Sequence, residues 1–280
     1  MTSLKGKTLV ISGGSRGIGE AIAVHAAREG ANIALIAKTT EPHPKLPGTI
    51  FTAAEAIEEA GGSALPIVGD IRDDEQVRSA VAAVVERFGG IDVVVNNASA
   101  LNLAPSDAID MKRYDLMQDI NARGAFSLST ACIPHLRASS NAHILTLSPP
   151  IRLEPKWFLE VPTAYTISKF AMSLVTIGLA SELAADGIAA NSLWPRTTID
   201  TAAVRNILDP EMVSRSRTVE IMADAAISII SKPASVATGQ CYVDEEVLAA
   251  DGVTDFAAYQ VDPSVDLHDL ELDFWMEWPR

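Results

Sequence analysis

One short segment restricts the folds open to this chain more than any other: Ser12-Gly13-Gly14-Ser15-Arg16-Gly17-Ile18-Gly19, set between the apolar run Thr8-Leu9-Val10-Ile11 and a helix-like stretch over residues 20–29. A strand that turns on glycines into a helix leaves unpaired N–H groups at the helix start, and glycines without Cβ atoms let a phosphate approach the backbone. Gly13, Ser15, Arg16, Gly17, Ile18 and Gly19 are therefore candidate contacts to a dinucleotide pyrophosphate. The spacing Gly-x-x-x-Gly-x-Gly differs from the Gly-x-Gly-x-x-Gly fingerprint. By itself it also suits a plain tight connection.

The unit repeats downstream. Strand-like runs at residues 32–37, 64–68, 91–95, 142–147, 188–193 and 240–243 alternate with helical patterns at 52–60, 73–88, 111–136 and 163–185. Runs such as Val93-Val94-Val95 are apolar at every position, the mark of strands buried on both faces by helices. The expected fold is α/β: a single domain, residues 1–251, with a Rossmann-type doubly wound parallel sheet of about seven strands and helices on both faces. Residues 252–280 form an acidic tail carrying Phe256, Phe274, Trp275 and Trp278. So many aromatics predict docking on the domain or on a neighbouring subunit rather than disorder.

Composition excludes several classes. A net charge of −14 argues against nucleic acid as partner. The apolar runs break before the ~20 residues a membrane span needs, so no membrane insertion is expected. Cys132 and Cys241 have no metal-type spacing, and no metal site is expected. No secretory pattern occurs at the N-terminus, and a cytoplasmic location follows as the expectation.

The end of the second strand bears on cofactor choice. An acidic residue there would hold a ribose diol and repel a 2′-phosphate, but the chain has Ala37-Lys38. Lys38 and Arg16 favour NADP over NAD, unless both are simply solvated surface cations. Asp70 is a candidate acceptor for the adenine amine, or an ordinary turn aspartate. The proline-rich connection at residues 39–48 is long for an α/β unit and could border the cofactor.

Tyr165 and Lys169 stand four residues apart on a helical pattern, where an ammonium favours the phenolate of a neighbouring tyrosine. An aromatic packed under a lysine stem has the same spacing.

The glycine turn, Asn96-Asn97-Ala98-Ser99 after the fourth strand, Asn121, and the Tyr165/Lys169 pair together resemble the short-chain dehydrogenase/reductase family across essentially the whole chain. Segments including Leu147-Ser148-Pro149-Pro150 and Leu193-Trp194-Pro195 look like its hydroxysteroid dehydrogenase-like protein 2 subgroup, expected here without the sterol-carrier-like domain of longer members. The resemblance implies an NADP(H)-dependent oxidoreductase acting on a carbonyl or secondary alcohol, possibly lipid-like. Tyr165 would be the general acid/base, its phenol lowered by Lys169 together with the positive charge of oxidised nicotinamide; Lys169 would also bind the nicotinamide ribose, and Asn97 would be a further cofactor contact. Asn121 would position a water beside Lys169. The family serine falls at Pro149, which has no hydroxyl, so Ser148 would serve through a changed backbone path or Tyr165 would act alone. Arg196, after an altered Pro-Gly, could meet an acidic substrate group. The competing expectation is a redox-impaired NADP-binding sensor or interaction protein. A homodimer or homotetramer through the two long helices is implied, with Phe126, Leu128, Met172 and Leu179 on its face unless they pack on the sheet.

Overall fold

Alternate residues of a strand point to opposite sides of a sheet, and in this chain both sides are apolar. In the computed structural model, which describes residues 3–43, 46–207 and 210–279, seven strands pair in parallel: β1 (Thr8–Ser12), β2 (Asn32–Ala37), β3 (Ser63–Val68), β4 (Val93–Asn96), β5 (Ala142–Thr146), β6 (Ile188–Trp194) and β7 (Cys241–Val243). Their order is β3-β2-β1-β4-β5-β6-β7. Pro44 and Lys45 of the proline-rich connection, Met1 and Arg280 lie outside the described residues.

The helices are α1 (Gly17–Arg28), α2 (Ile50–Glu59), α3 (Asp74–Phe88), α4 (Met111–Gln118), α5 (Gly124–Leu136), α6 (Pro155–Glu160), α7 (Thr163–Glu182), α8 (Ala202–Ile207), α9 (Glu220–Ile230) and α10 (Asp244–Ala250). On one side of the sheet Leu9, Ile11, Val93 and Val95 meet Ile22 of α1 and Ile221 and Ile229 of α9. On the other, Val10, Val94 and Ile144 meet Val77 of α3, Leu128 of α5 and Leu179 of α7. Each such side chain contributes about 1.5–3 kcal/mol by leaving water. Register carries the polarity of the site. Ser12 stands opposite Asn96, Asn96 opposite Thr146, and Thr146 opposite Ser192, so one polar row crosses four strands at their carboxyl ends.

Three local differences from the sequence expectation have physical causes. The pattern at 111–136 is interrupted by a π-helical turn at Asp119–Arg123 that contains Asn121, a feature frequent at functional sites. α2 starts at Ile50 rather than residue 52, because Thr49 and Thr52 form a capping box. The strand-helix alternation assigns nothing to residues 202–230, which hold α8 and α9. In α9 eight of eleven residues are buried, and a helix apolar nearly all round has little periodicity to read.

Of the four residues expected on a dimer face, Leu128, Met172 and Leu179 are buried inside the subunit and Phe126 alone is exposed. α7 is long and apolar enough to cross a membrane, and most of its apolar window is buried within the protein.

Candidate active site

At the switch point between β1 and β4 lies a cleft of about 1370 Å³, lined by Gly13, Ser15, Arg16, Gly17, Ile18, Lys38, Asp70 and Asn97. Such crevices at the carboxyl ends of strands are where open α/β sheets bind ligands. Arg16, at the N-cap of α1, makes no side-chain cap hydrogen bond. The N–H groups of the first turn thus lack a side-chain cap and suit an anion. Gly13 has φ +72°, and a Cβ there would stand 2.8 Å from the Ala98 Cα. Gly19 does not line the cleft. Its missing Cβ, which would fall 2.4 Å from Asn97 Nδ2, makes room for the asparagine instead. That Nδ2 donates to the Ser12 and Gly13 carbonyls at 3.1 and 2.9 Å, while Ser12 Oγ accepts from the Asn97 and Ala98 N–H groups. Asn97 therefore buttresses the glycine turn. These features, an open helix terminus over a Cβ-free turn, fit a dinucleotide pyrophosphate.

At the far end of the cleft Arg16 donates to the Pro47 and Gly48 carbonyls, which ties it to the proline-rich connection. Lys38 pairs with Asp70 at 3.1 Å. Asp70 is also held by Arg72 at 2.6 Å, and this guanidinium above all keeps its carboxyl far below the usual range.

The catalytic candidates sit at the other end. One helical turn apart on α7, Tyr165 and Lys169 are 5% and 2% exposed. Lys169 Nζ donates to the Leu147 carbonyl at 2.6 Å, just past β5, and lies 4.9 Å from the Trp194 ring centre. Beside that carbonyl stands Ser148, fully buried, its Oγ without a hydrogen-bond partner. The Pro149 carbonyl, one residue on, accepts from Ser173 Oγ at 2.6 Å. Asn121 is fully buried. Its Oδ1 accepts from the Ala100 N–H at 2.7 Å, and its Nδ2 donates to the Ala100 carbonyl and Ser168 Oγ. Those bonds lead to Ala100 and Ser168, and none to Lys169.

The C-terminal segment completes this end. Leu272 bridges to Thr197, the Asp273 N–H donates to the Arg196 carbonyl at 3.0 Å, and Trp194 Nε1 donates to the Phe274 carbonyl at 3.1 Å. Trp275 stacks on Tyr165 with ring centres 5.9 Å apart and planes 24° apart, and Phe274 meets Tyr165 edge-on at 5.9 Å. The open cleft reaches neither Tyr165 nor Lys169.

Among the protein's own groups, burial raises the Tyr165 phenol and the negative charge of Asp273 adds to the rise. Desolvation also pushes Lys169 down to about 7 and Asp273 up to about 7. One expectation fails here: Arg196 does not face a substrate. Its side chain is buried, donates to the Glu277 carbonyl at 2.6 Å and pairs with Glu246. Asp273 and Trp275 are the site residues that motif reading misses. The run of aromatics in the tail was their only trace.

Known proteins share this chain's sequence pattern and fold. The family model described as short chain dehydrogenase matches residues 7–211. Hydroxysteroid dehydrogenase-like protein 2 of Danio rerio is 52% identical over 274 residues, covering 98% of this chain and 65% of its own length. The Homo sapiens protein of that name is 49% identical over 278 residues, covering 99% and 65%. The chain thus spans a little under two thirds of these relatives. The crystal structure of a short chain dehydrogenase from Mycobacterium thermoresistibile superposes with a TM-score of 0.92 at 56% identity, over 98% of this chain and 96% of that one. An NADH-dependent reductase, A1-R′, responsible for alginate metabolism, superposes with a TM-score of 0.71 at 27% identity, over 87% and 97%. With sequence, fold and site in agreement, the chain belongs to the short-chain dehydrogenase/reductase family of oxidoreductases.

Proposed function

We propose that the protein is an NADP(H)-dependent oxidoreductase acting on a carbonyl or secondary alcohol of a lipid-like molecule, with Tyr165 as general acid/base. The observation that carries this is a buried Tyr165 one helical turn from a buried Lys169, whose ammonium is held by the Leu147 carbonyl next to the unpartnered Ser148 hydroxyl. A bound nicotinamide cofactor supplies or accepts the hydride. Gly13, Ser15, Gly17 and Ile18 would hold its pyrophosphate, with Gly19 making room for Asn97 behind the turn; Asn97 and Lys169 would hold the nicotinamide half, and Asp70 the adenine. The cations Arg16 and Lys38 at the adenosine end, with no acidic residue closing β2, support NADP over NAD.

Burial keeps the Tyr165 phenol protonated in the closed site, which suits donation of its proton to a substrate oxygen. Ser148 Oγ is free to donate a second hydrogen bond to that oxygen. The Leu147 carbonyl fixes the Lys169 ammonium one helical turn along α7 from Tyr165, and Asn121 braces the segment at Ala100. Residues 252–280 act with the domain of residues 1–251 as part of one site. Exposed Phe126, Ile167, Leu174 and Ile177 on α5 and α7 support a homodimer or homotetramer. The free thiols of Cys132 and Cys241 suit a reducing, cytoplasmic setting.

A panel of ketones and aldehydes with NADPH and NADH tests the reading. Expected are turnover preferring NADPH and its loss in Tyr165→Phe. A second reading, a nucleotide-binding sensor of the same fold, is favoured by the closure of the catalytic pair from the cleft. Tight NADPH binding with no turnover on the whole panel would select it.

A further inference from the structure

Tyr165 can act only on an oxygen that reaches its hydroxyl, yet one face of its ring is covered by Trp275 and its edge by Phe274. Trp275 is fully buried and also packs on Phe170 and Trp194, with ring centres 5.2 and 5.7 Å away. With φ +64° it is the one non-glycine residue among the described residues in the left-handed region. In that region the Cβ crowds the following carbonyl oxygen. Strain of this kind persists where surroundings impose it, and it clusters at ligand clamps and switch regions.

The indole N–H of Trp275 and the hydroxyl of Ser148 are both buried with no acceptor. Two orphaned donors, one on the ring stacked against Tyr165 and one next to the Leu147 carbonyl that holds Lys169, leave hydrogen-bonding capacity that a carbonyl or alcohol oxygen would take up. The charges around the box are negative or spent: Asp244 is a fully buried carboxyl and Asp273 a partly buried one, Lys169 is bound to Leu147, and Arg196 is committed to Glu246 and Glu277. An anionic substrate finds no free cation there, and an apolar one finds aromatic faces.

Resting on the oxidoreductase reading above, we propose that Trp275 is the specificity-determining wall of the active site and its gate. In the closed form its indole lies on Tyr165. An uncharged, extended apolar ketone or alcohol enters when residues 273–276 swing aside, and the indole then packs on the substrate. The latches are suited to opening. The Lys156–Glu277 and Arg215–Glu271 pairs that pin the segment are partly exposed, and solvent-screened pairs of this kind hold weakly.

Amide hydrogen exchange on the full chain tests this, with NADPH present and 2-dodecanone or dodecanoate as probe and binding followed by calorimetry. The reporters are the Phe274 amide, bonded to Asp273 Oδ1 at 2.7 Å, and the Met276 amide, bonded to the Asp273 carbonyl at 3.2 Å. The expected result is binding of the ketone but not the carboxylate, with exchange at both amides changed at least severalfold. Failure of the ketone to bind, equal binding of dodecanoate, or binding with unchanged exchange overturns the proposal. Because this readout needs no turnover, it answers even if the redox reading fails. In Trp275→Gly, where glycine accepts positive φ freely, the ratio of kcat/KM for 2-dodecanone to that for cyclohexanone should fall about tenfold, as expected for the loss of one aromatic contact. An unchanged ratio overturns the specificity role.

Discussion

The two ends of the site are built in opposite ways. The phosphate end is an open cleft made largely from one contiguous stretch, residues 12–19, with backbone N–H groups, missing Cβ atoms and the cations Arg16 and Lys38. The catalytic end is closed, aromatic and acidic, and it draws on the end of β5, on α7, on the end of β6 and on residues 271–277. Backbone geometry suffices to hold a ligand common to many proteins, whereas the end that meets a particular substrate is made from side chains brought together by tertiary packing.

That contrast predicts different responses to single changes. The largest effect belongs to the catalytic end: Tyr165→Phe should lower turnover by about 10²–10⁴-fold, the usual contribution of a positioned acid/base, while an NADPH fluorescence titration shows binding retained. At the phosphate end Gly19→Ala should weaken NADPH binding. Its new Cβ would fall 2.4 Å from Asn97 Nδ2 and displace the buttress of the turn. Overpacking of this kind costs about 1–3 kcal/mol, or roughly 5–150-fold if it falls wholly on binding. If Gly19→Ala altered turnover but not affinity, the division between the two ends would be wrong. Asn121→Ala lies between them. It leaves the Ala100 N–H and carbonyl and the Ser168 hydroxyl without their partner, and should lower unfolding stability by about 1–3 kcal/mol in a denaturant titration.

The same contrast governs what could be read beforehand. The β-α alternation and the glycine turn were legible because periodicity and turn chemistry are local. Tyr165, Lys169 and Ser148 were legible as residues, but their electrostatics were not: the sequence puts an ammonium beside a phenol and says nothing of burial that raises the phenol and lowers the ammonium. Arg196 shows the limit most plainly. Next to the expected site in sequence, it reads as a substrate contact. In the fold it anchors Glu277, eighty-one residues away, a pairing no local pattern encodes. α9 escaped notice for the opposite reason, being buried too evenly to show a face.

The smallest effect expected concerns the acidity of the closed end. Burial raises Asp273 to about 7 and Asp244 to about 6, from 3.8. A carboxyl whose folded value lies above its unfolded one binds its proton more tightly in the folded state. Its contribution is therefore full at low pH and is lost as pH rises from about 4 through about 7. Lys169, lowered by burial from 10.5 to about 7, acts in the opposite sense: the folded state gains relative to the unfolded between those values as pH rises. These carboxyls pull stability down between pH 4 and 7, by at most about 1.4 kcal/mol per pH unit for each proton; His143, lowered by burial from 6.5 to about 4, offsets one proton of that fall up to about pH 6.5, and stability should recover above 7. Asp273→Asn removes one carboxyl from the falling limb, leaves the contribution of Asp244 below about pH 6, and relieves the negative charge beside Tyr165. Denaturant midpoints measured from pH 4 to 9 should show a shallower descent in the variant, most clearly between pH 6 and 7, where Asp244 no longer titrates. An unchanged descent there would mean that Asp273 stays accessible to water, and with it that the catalytic end is open like the phosphate end.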